Sequence, residues 1–149
     1  MKILLALFII VSLAADPDTP ASGIFITKKP GRKDPCDQQV KMLIGTKMIC
    51  ILKQPLIALD ELESVSDIRY DPIFKSNHLD LGLSPECVTT INKTVSILPH
   101  TEFALVLNNQ VICIFKIDES LKSRYLRIGQ DLDIRSLETV HNALKKIDF

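Results

Sequence analysis

From Leu79 to Leu83 the chain alternates leucine with Asp80 and Gly82, and His78 precedes them on the polar side. A period of two describes a strand with one face in the core. The period then changes: Val88, Ile91, Val95 and Leu98 recur at helical spacing, with Cys87 on the same face. Ser84, Pro85 and Glu86 open that helix. The Ser84 hydroxyl can accept a free N–H of the first turn, Pro85 has no N–H to lose there, and Glu86 sets negative charge at the positive end of the helix dipole. Pro99 ends it. Two apolar runs follow, Glu102 to Leu107 and Gln110 to Ile117, separated by Asn108-Asn109. Asparagine tolerates positive φ, so this pair predicts a two-residue hairpin turn. Leu107 would then face Gln110, Leu105 would face Ile112, and Ala104 would face Cys113. Neither run alternates cleanly, which predicts a central hairpin covered on at least one face.

Around this unit the pattern predicts a strand over 47–52, a short helical turn or irregular connection over 54–62, and a strand over 65–70. Asp71-Pro72 closes the last of these, because the residue before a proline is pushed to extended geometry. Residues 73–77 read as a connecting loop, with a last strand from Tyr125 to Gly129. A final helix begins at Asp133 or Ser136, with Leu137, Val140, Leu144 and Ile147 as its apolar stripe. This order makes an α+β fold, a mainly antiparallel sheet with two main helices packed on one face. Residues 16–46 carry Pro17, Pro20, Pro30, Pro35, Gly23 and Gly31 and read as an arm or linker, with Ile24-Phe25-Ile26 as a short edge strand. The folded domain is therefore expected over 47–149.

The order of these segments resembles the head of the first periplasmic domain of SecD-type protein-export subunits. In that family a strand leads into a helix opened by a Thr/Ser-Pro-Glu-Gly motif, then a strand of the type LAIVLDGxVISAPVI, then a later helix. Here the matching stretches are SDIRYDP at 66–72, LSPEC at 83–87, FALVLNNQVICIFKI at 103–117 and SLETVHNAL at 136–144. The resemblance covers roughly residues 47 to 147. Cys87 stands where the family has Gly, Asn108-Asn109 replaces Asp-Gly, and Cys113-Ile114-Phe115 replaces Ser-Ala-Pro. It implies a head that lies outside the membrane and contacts translocating polypeptide, here without transmembrane helices.

Composition narrows the class. The chain has 149 residues and a formal net charge of zero, which argues against a nucleic-acid partner. Residues 1–15, MKILLALFIIVSLAA, combine a lysine, an apolar run and small residues, the pattern of a secretory signal peptide. That run is shorter than the roughly 20 residues a spanning helix needs, and no later segment is long enough. The expected product is exported, periplasmic or extracellular, without membrane insertion after signal cleavage.

Four cysteines, Cys36, Cys50, Cys87 and Cys113, in an exported chain suggest disulfides. Three pairings are open. Cys36–Cys50 with Cys87–Cys113 is favoured, the second tying the first helical turn to the hairpin; the alternative leaves Cys87 and Cys113 as buried thiols. No CxxC, no HxxxH and no glycine-rich phosphate loop occurs, so no catalytic residue, metal ligand, nucleotide or small-molecule cofactor is expected. His78, His100 and His141 read as surface histidines. Asp60, Glu61 and Glu63 read as a solvated loop, and Lys28, Lys29, Arg32 and Lys33 as a solvated basic cluster. Two functions fit. The first is a non-enzymatic module that binds polypeptide chains or an envelope membrane complex, by strand addition at a sheet edge or in a groove beside the helices. The second is a secreted inhibitor or immunity-type protein with one specific protein partner, because fold does not fix function.

Overall fold

A computed structural model describes residues 22–29, 31, 33–147 and 149. The expected signal segment at 1–15, the arm up to residue 21, Pro30 and Arg32 lie outside the described residues.

Three strands come before the expected start of the domain or at its edge: β1 (Gly23–Ile26), β2 (Gln38–Met42) and β3 (Met48–Ile51). They correct the reading of 16–46 as an arm. Ile24 and Phe25 are both fully buried, so β1 has two covered faces, and strands pair with it on both sides, so it is not an edge strand. It pairs antiparallel with β8 (Glu102–Leu107) on one side and with the two-residue strand β4 (Ile57–Ala58) on the other. β8 pairs with β9 (Gln110–Lys116), and β9 runs parallel to β2 through Gln110 and Val111 only. β2 pairs with β3. The sheet then curls back on itself. Thr27 bridges Ile51, the Lys28 N–H donates to the Cys50 carbonyl at 2.9 Å, and the Leu52 N–H donates to the Ile26 carbonyl at 3.1 Å. Five strands thus close a small barrel filled by Phe25, Val40, Ile49, Ile51, Ala104, Val106 and Val111.

The second sheet is organised on β7 (Ser76–Leu83). β10 (Tyr125–Ile128) pairs along one edge, while β5 (Leu62–Val65) and β6 (Arg69–Asp71) share the other. The single strand expected over 65–70 is therefore two, interrupted at 66–68. Leu79, Leu81 and Leu83 point into the main core with Leu126 and Ile128. Helix α1 (Pro85–Ile97) adds Cys87, Ile91 and Val95, and α2 (Ile134–Leu144) adds Leu137, Val140 and Leu144. Leu98, expected on the apolar stripe, falls just past the end of α1 and is 48% exposed. The fold is α+β, with two helices on mostly antiparallel strands arranged in two sheets.

The hairpin register departs from the simple two-residue count. Leu107 opposes Gln110 and Val106 opposes Val111, but Leu105 opposes Cys113 and Ala104 opposes Ile114. Ile112 is the extra residue of a β-bulge, which bends the strand and puts two successive side chains on one face. Ile112 and Cys113 both enter the main core as a result. The bend also falls where β9 loses β2 as a neighbour.

Candidate functional site

The sequence-selected residues mostly hold the fold. Cys36 and Cys50 form a disulfide. Cys50 lies at the barrel seam, so the bridge ties the chain entering β2 to the strand that closes the barrel. Cys87 and Cys113 are both free and buried, which corrects the expected second bridge. Cys87 is engaged elsewhere: its Sγ lies 3.2 Å from Ser84 Oγ and donates to the Glu61 carbonyl at 3.5 Å. Burial pushes the Cys113 thiol pKa up to about 12, so it carries no thiolate at neutral pH. Ser84 accepts the Cys87 N–H at 3.2 Å as N-cap of α1, with Pro85 and Glu86 in the first turn. Asn108 and Asn109 have φ of 47° and 63° at the β8–β9 turn.

The histidines do not behave as a surface set. His78 is 3% exposed. It lies opposite Arg69 on β6, with Nε2 3.8 Å from Asp80 Oδ2, and its Nδ1 has no hydrogen-bond partner among the described residues. Asp80 is also approached by Arg69 and Arg127, each at 3.6 Å. His141 is close to Asp67 at 3.7 Å. No described group of three or more His, Cys, Asp or Glu side chains could hold a metal ion. Glu61 of the acidic cluster accepts the Ala58 N–H at 2.7 Å, and Glu63 pairs with Arg124. Lys28 of the basic cluster is taken up by Asp34 at 2.6 Å and Asp37 at 3.1 Å.

A different place offers unused bonding capacity. Beyond Val111 no described strand pairs with the outer side of β9. The backbone there can be oriented by alternation along an antiparallel ladder. The Glu102 carbonyl accepts the Thr27 N–H at 2.9 Å. The backbone groups of Glu102 therefore point to β1, and those of Lys116, its partner, point away from β8. On β10 the Arg124 carbonyl accepts the Leu83 N–H at 2.8 Å. The same alternation turns the backbone groups of Tyr125 and Arg127 away from β7. Those of Tyr125 are met by Ser123, whose Oγ accepts its N–H at 3.3 Å and donates to its carbonyl at 3.4 Å. Among the described residues, nothing covers those of Lys116 and Arg127 in this way.

Lys116 and Arg127 line one groove of about 450 Å³. Ile114 and Phe115 continue its β9 wall, and Gly129 to Leu132 its β10 wall. Asn92 of α1 steadies the intervening loop: its Oδ1 accepts the Leu121 N–H at 2.7 Å and its Nδ2 donates to the Leu121 carbonyl at 3.1 Å. Sequence reasoning singled out neither Lys116, Ser123 nor Arg127. Their role depends on which strand lies next to which, and the only local signal is the mixed polarity of the β9 end.

No family model matches the chain, and no curated protein sequence matches it. Solved structures do. A structure of the membrane component SecDF that enhances protein export superposes with a TM-score of 0.53 at 14% identity, over 86% of this chain and 63% of that one. SecDF in a super-membrane-facing form superposes with a TM-score of 0.50 at 14% identity, over 82% of this chain and 17% of that one. The chain thus spans less than two thirds of either SecDF chain. No described helix is long and apolar enough to cross a membrane. The superpositions give this chain a SecD-like fold.

Proposed function

We propose that this chain is an exported, non-enzymatic binding module that takes extended polypeptide segments as an added strand in the groove between β9 and β10. The observation that carries the reading is the pair of uncovered backbone edges at Lys116 and Arg127 on facing walls of one groove. Strand addition draws affinity from main-chain hydrogen bonds and so tolerates many sequences. The fold likeness to a protein-export component supports the same direction. So does a disulfide beside the barrel seam, which suits an oxidising compartment outside the cytoplasm.

The test is amide-resolved NMR titration of the protein with an extended apolar peptide. Shifts should centre on Ile114, Lys116 and Arg127. N-methylation of alternate peptide amides should remove binding, because only the main-chain donors change. Lys116→Pro, which deletes an outward donor and spares the β8 ladder, should weaken binding by on the order of tenfold, the equivalent of about one hydrogen bond. Ser123→Ala, which uncovers Tyr125, should strengthen it severalfold. An N-methylated peptide that binds as well as the parent would overturn strand addition. Failure of every extended peptide, with tight capture of one folded partner, would favour an inhibitor or immunity-type role.

A further inference from the structure

The four-residue turn from Pro72 to Lys75 joins β6 to β7 and carries its apolar side chains outward. Ile73 is 82% exposed and Phe74 68%, and Tyr70 on the adjoining strand is 60% exposed. Such an apex is costly to keep in water and needs a reason. The turn is also held in shape. Asp71 Oδ1 accepts the N–H of Ile73 at 2.8 Å and of Phe74 at 3.2 Å. Its other oxygen accepts from Arg127 Nη1 at 2.7 Å. Lys75 takes a left-handed φ of 52°, which turns the chain back into β7. A fixed turn presents Ile73 and Phe74 with little ordering left to do on binding.

The charges around the apex are sorted by depth. Three cations reach solvent: Lys75, Arg69 with 64% of its side chain exposed, and Arg127 with 39%. The two carboxylates beneath them, Asp71 and Asp80, are 12% and 13% exposed and lie against those guanidiniums. Asp67, an exposed acid in the break just before β6, is paired with Lys145 at 3.0 Å. The outer surface is thus a convex apolar point inside a cationic collar.

We propose that this turn is a membrane-docking tip, which seats Ile73 and Phe74 in the interfacial layer of a bilayer bearing anionic lipids. A convex apolar apex enters a deformable lipid surface without a preformed pocket, and basic residues beside it are drawn to anionic headgroups. Hydropathy along the sequence finds spanning segments and does not register an apex of two residues, so the expectation of no membrane insertion did not cover it. The inference is independent of the peptide groove, although Arg127 serves both places.

The chain has no tryptophan, which makes Phe74→Trp the sole tryptophan, excited apart from the tyrosines at the red edge, and a reporter at the apex. With vesicles of phosphatidylcholine and phosphatidylglycerol its emission should shift to the blue, and lipids brominated in the acyl chain should quench it. The three cations less the two carboxylates lying against them leave one net positive charge, which predicts binding about fivefold tighter than to phosphatidylcholine alone. The double variant Ile73→Asp/Phe74→Asp should lose vesicle binding, and Lys75→Glu should weaken it about fivefold or more. Both changes lie at exposed positions, and an unchanged thermal midpoint would show that the fold is intact. Emission that does not move with either vesicle, or vesicle binding that survives the double aspartate variant, overturns the proposal. A blue shift produced only by an added envelope protein would assign the tip to a protein pocket and overturn it as well.

Discussion

The barrel and the β7 sheet face the same problem and solve it differently. A strand edge left open is a template for unwanted pairing. The barrel removes its edges by closure, with β3 returning to the end of β1 at Thr27 and Ile51. The β7 sheet cannot close, so it relies on side chains: Ser123 covers the backbone of Tyr125, and its outer face carries Asp80, Arg69 and Arg127. The difference explains where surface is left over. In the barrel it is backbone, at the end of β9 after the bulge turns the strand from β2. In the β7 sheet it is side chain, at the apex beyond Asp71.

The largest expected effect would break the comparison by showing the barrel to be separate. Phe25→Ala, at a fully buried position inside the barrel, should cost about 3–5 kcal/mol. β8 and β9 supply both cores, with Ala104 and Val106 toward the barrel and Phe103 and Leu105 toward the helices. Denaturation followed by far-ultraviolet circular dichroism and by tyrosine fluorescence should therefore give one coincident transition, shifted to lower denaturant. Two separated transitions would mean that the barrel folds alone.

Removing the staple comes next. Cys36→Ser/Cys50→Ser should lower stability by about 3 kcal/mol, the loop-closure value for a bridge of this span. Hydrogen exchange should rise first at the Lys28 and Leu52 amides, which make the seam. An unchanged denaturation midpoint would mean that hydrogen bonds and packing alone close the barrel. Cys87 and Cys113 should stay unreactive toward thiol reagents until the protein unfolds, since both are buried.

The elements that sequence reveals here are those with local causes. The alternation of Leu79, Leu81 and Leu83, and the stripe of Leu137, Val140 and Leu144, each state which face is buried, and the structure buries those faces. What escaped has a distant cause. Ile24-Phe25-Ile26 sits among prolines and glycines, and its central place depends on β8, some eighty residues on. The bulge at Ile112 is invisible because Val, Ile and Phe suit either face. His78 follows the alternation and does point to the polar side of β7. It is nonetheless buried, in a cluster that also holds Arg69, Asp80 and Arg127, side chains from three strands. The groove escaped for the same reason, since an uncovered edge is defined by a neighbour that is missing.

The smallest effect separates the two regions by pH. On the β7 side, bonds to the Phe74 and Ile73 amides and to Arg127 hold the Asp71 carboxyl below its usual range, and Lys145 does the same for Asp67. A group whose pKa is lowered by folding contributes stability above its unfolded pKa, about 3.9 for Asp, and loses it as pH falls through the folded value. Around the barrel the sign reverses. Hydrogen bonds to Asp34 and Asp37 raise the Lys28 pKa above its usual 10.5. Its contribution is complete below that unfolded value and is lost as pH rises through the folded one. Acid should therefore loosen β6 and the docking tip first, and alkali residues 33–37 at the barrel's end. The contributions are modest, because at least one partner of each pair faces solvent. Amide exchange compared near pH 3, 6 and 11 would resolve them by position. Asp71→Asn should flatten the acid response at Ile73 and Phe74 and leave the alkaline response of the barrel unchanged. If the variant moved both limbs, the β7 sheet and the barrel would respond to pH as one unit, and the contrast between them would fail.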